Sequence, residues 1–280
     1  MSTTETIQRF YDSISDPYAR AWDHNFHLGY WDDPDEPVTV EAATERLTDE
    51  VLRRLVTAPG DAVLDVGCGI GKPAIRLAAT RDLTVTGVSI SEEQIDAAQR
   101  VSTAYGLADR ARFVAADAAD LPFPAASYDA VFALESLHHM ADRGRVLAEI
   151  ARVLKADGSF VIADYALRHP PTPGQEQIVT EFRSACHLAT LSTIDEYVAD
   201  VTAAGFVPIE VVDVSEHVQP SLFQHVQAMR DARAELVGNL PPGAFDRMIE
   251  SSERYGQLSA AGYVVIACRR GRQGSNRNDG

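Results

Sequence analysis

The chain has 280 residues, of which 45% are apolar, enough for one large domain or for a core domain with a sizeable insertion. Its 41 acidic and 25 basic residues leave a formal net charge of −16, and the basic cluster at 269–272 lies in a polar tail. This distribution excludes nucleic acid as the main partner, because a protein that binds phosphates needs a concentrated basic face.

The remaining composition argues against export, membranes and structural metals. The start of the chain has no basic segment followed by an apolar run, so we expect no secretory signal. No stretch approaches the roughly 18 uninterrupted apolar residues of a membrane span. The three cysteines are far apart, which favours neither a disulfide framework nor a zinc site. We therefore expect a reduced, cytoplasmic protein with no metal and no membrane partner; the pattern does not choose between monomer and homodimer.

Strands and helices alternate from about residue 60. The apolar runs predict strands at 62–66, 83–88, 112–116, 128–134, 159–165, 206–212 and 262–268. Helices are predicted at 73–80, 91–105, 143–154 and 194–204, with further helical pattern over 220–255. This alternation predicts an α/β fold with a seven-stranded, mostly parallel sheet covered on both faces. From its position at the chain end, we expect the last strand to be antiparallel.

The same pattern suggests how the chain is divided. We expect an N-terminal helical lid (1–58), a ligand-binding core (59–168), acceptor-cap helices that include one core strand (169–260, strand 206–214), the last core strand (261–268) and a disordered tail (269–280).

A glycine-rich loop follows the first strand and opens the first helix of the core. It reads Asp65, then Gly67, Gly69 and Gly71 at alternate positions. Glycines there let the backbone turn sharply and approach a ligand closely. The third glycine comes one residue too early for a dinucleotide fingerprint, and the spacing is also wrong for a phosphate P-loop.

The loop resembles motif I of the class I S-adenosylmethionine-dependent methyltransferases. Further motifs at family spacing strengthen the resemblance: 87–89 ends the second strand, 116–118 ends the third, and 127–131 begins the fourth. Together with 27–31 and 134–139, these stretches are most similar to actinobacterial natural-product O-methyltransferases, the group of the rebeccamycin and rifamycin enzymes. The resemblance implies a Rossmann-like fold, S-adenosylmethionine as cofactor, S-adenosylhomocysteine as product, and a small natural-product acceptor.

The resemblance also implies roles for individual residues. Asp117 and the backbone N–H of Ala118 would meet the adenine, and Asp65 would order the glycine loop. Leu134 and Glu135 would lie beside the methionine part, and Tyr11 would donate to its carboxylate. The full set of expected cofactor residues is Tyr11, Asp65, Gly67, Gly69, Gly71, Ser89, Ile90, Gln94, Asp117, Ala118, Leu134, Glu135 and His139.

The ribose position departs from the wider family. An acidic residue usually ends the second strand and holds both ribose hydroxyls, whereas this chain has Ser89, as the natural-product group also does. Gln94 offers a replacement. It also fits a capping box with Ser91 at the start of the next helix, and the two roles are compatible.

Two adjacent histidines form the catalytic candidate. His138 and His139 follow the fourth strand, and Asp164 lies near the end of the next strand. A histidine with a carboxylate behind it is a common general base, which favours an oxygen acceptor because an alcohol must lose its proton. Alternatively, the histidines cap the following helix. A metal site is disfavoured, since adjacent residues at a strand end point in opposite directions. We favour His139 as the substrate-facing residue, with His138 packing or assisting.

These observations predict methylation of a hydroxyl on a small secondary metabolite, an antibiotic sugar being one option. Two alternatives remain open at this point. One is methylation of a secondary or strained amine, and the other is a non-catalytic nucleotide-binding domain.

Overall fold

The computed structural model describes residues 27–237 and 240–271. Three expectations lie outside the described residues: the cofactor contact of Tyr11, residues 1–26 of the lid and the tail from residue 272 onwards. Within the described ranges, no helix is both long and apolar enough to cross a bilayer.

Seven strands of the described chain form one sheet in the order β3-β2-β1-β4-β5-β7-β6. Their bounds are β1 Ala62–Val66, β2 Thr84–Ser89, β3 Ala111–Ala115, β4 Tyr128–Leu134, β5 Leu154–Leu167, β6 Phe206–Asp213 and β7 Ala261–Arg270. Strands β1 to β5 pair in parallel, and β7 is antiparallel to both of its neighbours. The predicted α/β sheet and its antiparallel last strand are therefore confirmed.

Nine helices of the described ranges surround the sheet. They are α1 Val40–Leu52, α2 Lys72–Thr80, α3 Glu92–Ala104, α4 Arg143–Val153, α5 Pro173–Ala185, α6 Ile194–Ala203, α7 Ser215–Asp231, α8 Arg233–Leu236 and α9 Ala244–Gly256. The helical pattern predicted over 220–255 is broken before α9, where Gly243 has a φ of 72° and follows two prolines. Proline lacks the N–H of a continuing helix, and a positive φ suits glycine, so one long helix cannot form.

Both faces of the sheet are buried. On one face, α1, α2 and α7 contribute Leu47, Leu77 and Val218 to an apolar cluster with the strands. On the other face, Ile150 of α4 and Val201 of α6 pack against a second cluster. A parallel sheet covered on both faces leaves the carboxyl ends of its strands as the place where a ligand can bind.

The segments predicted as an acceptor cap carry apolar clusters of their own. Phe182 of α5 stacks on Tyr255 of α9, with ring centroids 4.0 Å apart. Met229 and Met248 are buried in a separate cluster between α7 and α9. The division into lid, core and cap stays a prediction. The two strands expected to join the core, β6 and β7, are in the central sheet, and β7 continues to Arg270, two residues into the segment predicted to be a disordered tail.

Candidate active site

A cavity of about 250 Å³ lies at the carboxyl ends of β1, β2 and β4. Its wall contains every expected cofactor residue within the described ranges: Asp65, Gly67, Gly69, Gly71, Ser89, Ile90, Gln94, Asp117, Ala118, Leu134, Glu135 and His139. Residues drawn from four separate motifs thus meet at one place, at the sheet edge where ligands of parallel folds bind.

The glycine loop is shaped by backbone conformations that favour glycine. Gly67 has a φ of +79°, and a Cβ added there would lie 2.3 Å from the Cβ of Ser136. Gly71 has a φ of +84°, and its added Cβ would lie 2.5 Å from the ring of Phe113. The N–H groups of Gly67 and Cys68 both donate to the carbonyl of Val88 at 2.9 Å, which ties the loop to β2.

Asp65 brings a buried carboxylate to the base of the cavity. Its Oδ2 accepts no hydrogen bond from the described residues, and burial raises the pKa of this carboxyl well above its usual range. An unsatisfied buried carboxylate oxygen is costly, and a cationic ligand with N–H donors would relieve that cost. This buried carboxylate therefore fits S-adenosylmethionine, whose methionine part carries a positive ammonium group.

The residue expected at the ribose position belongs to a small hydroxyl–amide network. Ser89 donates its hydroxyl to Oε1 of Gln94 at 2.8 Å and accepts from the N–H of Ser91 at 3.2 Å. Ser91 Oγ in turn accepts from the N–H of Gln94, so the first half of the capping box is present. The Gln94 side-chain oxygen accepts from Ser89, and Gln94 lines the cavity; its contact with the ribose stays a prediction. The pair offers a hydroxyl and an amide, not the carboxylate of the wider family.

The side chains expected at the adenine are placed differently from each other. Ala118 is buried in the cavity wall, whereas Asp117 is exposed and its Oδ1 accepts from the N–H of Ala119 at 2.9 Å. That bond fixes the direction of the Asp117 carboxylate at the rim.

Glu135 connects the cavity to two distant parts of the chain. Its Oε1 accepts from the N–H of Leu28 at 2.7 Å and from the hydroxyl of Tyr263 at 2.9 Å. Removal from solvent raises the pKa of Glu135 to about 8. Its φ of 48° is an uncommon conformation for a residue other than glycine, and such strain tends to occur at functional sites. No local sequence pattern predicts the contacts of Glu135 with Leu28 and Tyr263, which lie 107 and 128 residues away.

The histidines lie in a short 3₁₀ turn, Leu137–His139, and not at the strand end. The expectation that they point in opposite directions is wrong, because the ring centroids of His138 and His139 are 4.1 Å apart. A turn with three residues per repeat does not alternate side chains between two faces as a strand does. Within the described residues, no cluster of three or more histidine, cysteine or carboxylate side chains could hold a metal.

Asp164 pairs with His138, and its carboxylate is surrounded by donors. Oδ1 contacts Nδ1 of His138 and accepts from the N–H of Tyr165 at 2.9 Å. Oδ2 accepts from the N–H of His138 at 3.0 Å and from the hydroxyl of Tyr197 at 2.8 Å. A carboxylate only accepts, so Nδ1 of His138 is the donor to Asp164, and in the neutral ring Nε2 is then the atom with the lone pair.

His139 takes the cavity side of the pair. It lines the cavity, and its Nδ1 meets the carbonyl of His187 at 3.1 Å. Burial, together with the neighbouring His138, lowers the pKa of His139 well below the usual value. The neutral ring of His139 at the cavity is suited to contact a ligand. The carboxylate that a general base needs behind it is found at His138 instead.

Comparisons with known proteins agree with this geometry. A family model described as a methyltransferase domain matches residues 64–162. The chain is 37% identical to the 27-O-demethylrifamycin SV methyltransferase of Amycolatopsis mediterranei, over 96% of this chain and 98% of that protein. It is 38% identical to the methyltransferase GfsG of Streptomyces halstedii, over 76% of each. Among solved structures, the [4+2]-cyclase SpnF superposes with a TM-score of 0.86 at 26% identity, over 96% of both chains.

Proposed function

Since the chain belongs to the class I S-adenosylmethionine-dependent methyltransferases of natural-product pathways, we propose that it methylates a hydroxyl group of a small secondary metabolite. The observation that carries the proposal is the pairing of His138 with Asp164, directly beside His139 of the cavity wall, because deprotonation is what a hydroxyl acceptor requires. The O-methylating relative from Amycolatopsis supports the same choice.

The residues of the cavity wall divide the work of holding the cofactor. The glycine loop approaches it with backbone alone, and Asp65 and Glu135 face its positively charged methionine part. Ser89 and Gln94 meet the ribose, and Asp117 and Ala118 meet the adenine. The bound cofactor supplies an electrophilic methyl group on a positively charged sulfur.

His138 acts as the general base. Its Nε2 takes the proton of the acceptor hydroxyl, while Asp164 holds the ring in the required tautomer and stabilises the imidazolium that forms. The deprotonated oxygen would then take the methyl group, and the electron pair of the broken carbon–sulfur bond would stay on the sulfur of S-adenosylhomocysteine. His139 contacts the ligand from the cavity wall. An amine in its neutral form would not need this base.

The test is methyl-labelled S-adenosylmethionine against a panel of glycosides, phenols, macrocyclic alcohols and secondary amines, followed by NMR of the labelled product. We expect label on oxygen. Label on nitrogen, with His138→Gln as active as the unchanged protein, would overturn the proposal in favour of amine methylation.

A further inference from the structure

A tyrosine outside the sequence motifs lies directly behind the proposed base. Tyr197 is on α6, a helix of the predicted acceptor cap, and its side chain is completely buried. Its hydroxyl donates to Oδ2 of Asp164 at 2.8 Å, across 33 residues of sequence. It is therefore one residue removed from His138, because Asp164 Oδ1 contacts Nδ1 of that histidine.

The hydrogen bond from Tyr197 differs from the other three contacts of the Asp164 carboxylate in where it comes from. Three of its contacts come from the adjacent backbone N–H of Tyr165 and from the backbone and ring of His138. The hydroxyl of Tyr197 is the contact from a different part of the fold. It fixes the rotation of the carboxylate about its side-chain bond, and hence the direction of Oδ1 towards His138. Hydrogen bonds to an ionised acceptor are also stronger than neutral ones.

Tyr197 is itself held in place from two sides. The guanidinium carbon of Arg143 lies 4.2 Å from the centre of the Tyr197 ring. Arg143 Nε donates at 3.1 Å to Asp200, which is on the same helix as Tyr197, and Arg143 Nη2 donates to Ser192 at 2.7 Å. A cation over an aromatic face in a desolvated place is a favourable contact. Burial raises the pKa of Tyr197 well above the usual value, so its hydroxyl stays a donor.

The loop before α6 supports the two histidines at the same time. The N–H of Thr190 donates to the carbonyl of His138 at 3.1 Å, and the carbonyl of His187 meets Nδ1 of His139 at 3.1 Å. Arg143 reaches this loop through Thr190 and Ser192. The cap segment is thus joined to the histidine pair by side chains and backbone together.

We infer that Tyr197 is a positioning residue for methyl transfer, which orients Asp164 so that His138 presents Nε2 to the acceptor. This inference rests on the proposed function, because it requires His138 to act as the base. Tyr197 does not line the cofactor cavity, and its hydrogen bond to Asp164 is what connects it to His138.

The experiment compares Tyr197→Phe with Tyr255→Phe. Both tyrosines are fully buried, and the Tyr255 hydroxyl donates to the carbonyl of Ala166 at 3.3 Å and accepts from the N–H of Gly262 at 3.4 Å, so the control also loses buried hydroxyl bonds. With an alcohol acceptor, we expect Tyr197→Phe to lower kcat about tenfold, with unchanged KM for S-adenosylmethionine, while Tyr255→Phe keeps kcat within about twofold. In an Asp164→Asn background, Tyr197→Phe should have no further effect, since the residue acts through Asp164.

A second readout needs no acceptor. In protein with ¹⁵N-labelled histidine and bound S-adenosylhomocysteine, His138 should carry its proton on Nδ1, and the Nε2-protonated form should become populated in Tyr197→Phe. Equal kcat values for Tyr197→Phe and Tyr255→Phe, with an unchanged His138 tautomer, would overturn the inference. Full activity of Asp164→Asn would instead overturn the proposed base, so the two failures are distinguishable.

Discussion

Tyr263 donates its hydroxyl to Oε1 of Glu135 at 2.9 Å, which links the last strand of the sheet to the wall of the cofactor cavity. The same oxygen accepts from the N–H of Leu28, so the N-terminal segment and the C-terminal strand meet at one carboxyl group. Its charge state is therefore expected to affect cofactor binding.

Cofactor affinity should depend on pH through Glu135. The pKa of this carboxyl in the free protein is raised to about 8, so it is mostly protonated below that pH. A cationic ligand favours the ionised form and must displace the proton at lower pH. We predict that the Kd of S-adenosylmethionine falls as pH rises from about 6.5 to about 8, by at most about tenfold per unit.

Calorimetric titration of the unchanged protein and of Glu135→Gln measures this effect. The amide has nearly the same shape but does not titrate, so its Kd should vary less with pH. An equally steep dependence in Glu135→Gln would show that another group is responsible.

His27 should make the protein less stable in acid. Burial lowers its pKa to about 4, while the unfolded chain keeps a value near 6.5. Between these values the unfolded state binds a proton that the folded state does not. The contribution of His27 to stability is therefore complete above about 6.5 and is lost as pH falls towards 4.

Urea unfolding between pH 4 and 7 tests this, with His27→Gln as the comparison. We expect the free energy of unfolding of the unchanged protein to fall more steeply towards pH 4 than that of His27→Gln. Parallel curves for the two proteins would contradict the assignment.

Gly67→Ala should destabilise the protein by more than the cost of a left-handed backbone conformation alone. Its left-handed φ costs roughly 1–2 kcal/mol with any Cβ, and the clash with Ser136 adds roughly 1–3 kcal/mol of overpacking. Gly106→Ala is the matched control, because Gly106 has a φ of +70° with nothing within 4 Å of an added Cβ.

Thermal unfolding and S-adenosylhomocysteine binding should separate these two variants. Gly106→Ala should lose only the smaller part of the stability and bind normally. The loop would not be shaped as described if Gly67→Ala matched Gly106→Ala in both measurements.

Sequence motifs predicted most of the residues that line the cavity, but few of the residues that hold those side chains in place. Asp65, Ser89 and Ala118 were predictable because each follows or ends a strand, and parallel strands bring their carboxyl ends to one edge. Tyr197 and Tyr263 were not, since each reaches the site from a later helix or strand and carries no motif. Such contacts depend on how the layers pack, which periodicity does not specify.

The histidine pair shows the same limit on a smaller scale. The sequence placed His138 and His139 beside Asp164, as the structure does. It left the choice of base between them open and favoured His139 as the substrate-facing residue; in the structure His139 lines the cavity and the carboxylate contacts His138. The difference comes from the 3₁₀ turn after β4, which sets the direction of both rings and has no strong sequence signal.

The most direct test of the proposed mechanism is kcat of His138→Gln and His139→Gln with an alcohol acceptor. Glutamine can still donate a hydrogen bond but cannot take up a proton. If His138 is the base, His138→Gln should lose at least about 100-fold in kcat with unchanged cofactor affinity, and His139→Gln should lose much less. The proposed mechanism is contradicted if His138→Gln retains the kcat of the unchanged protein.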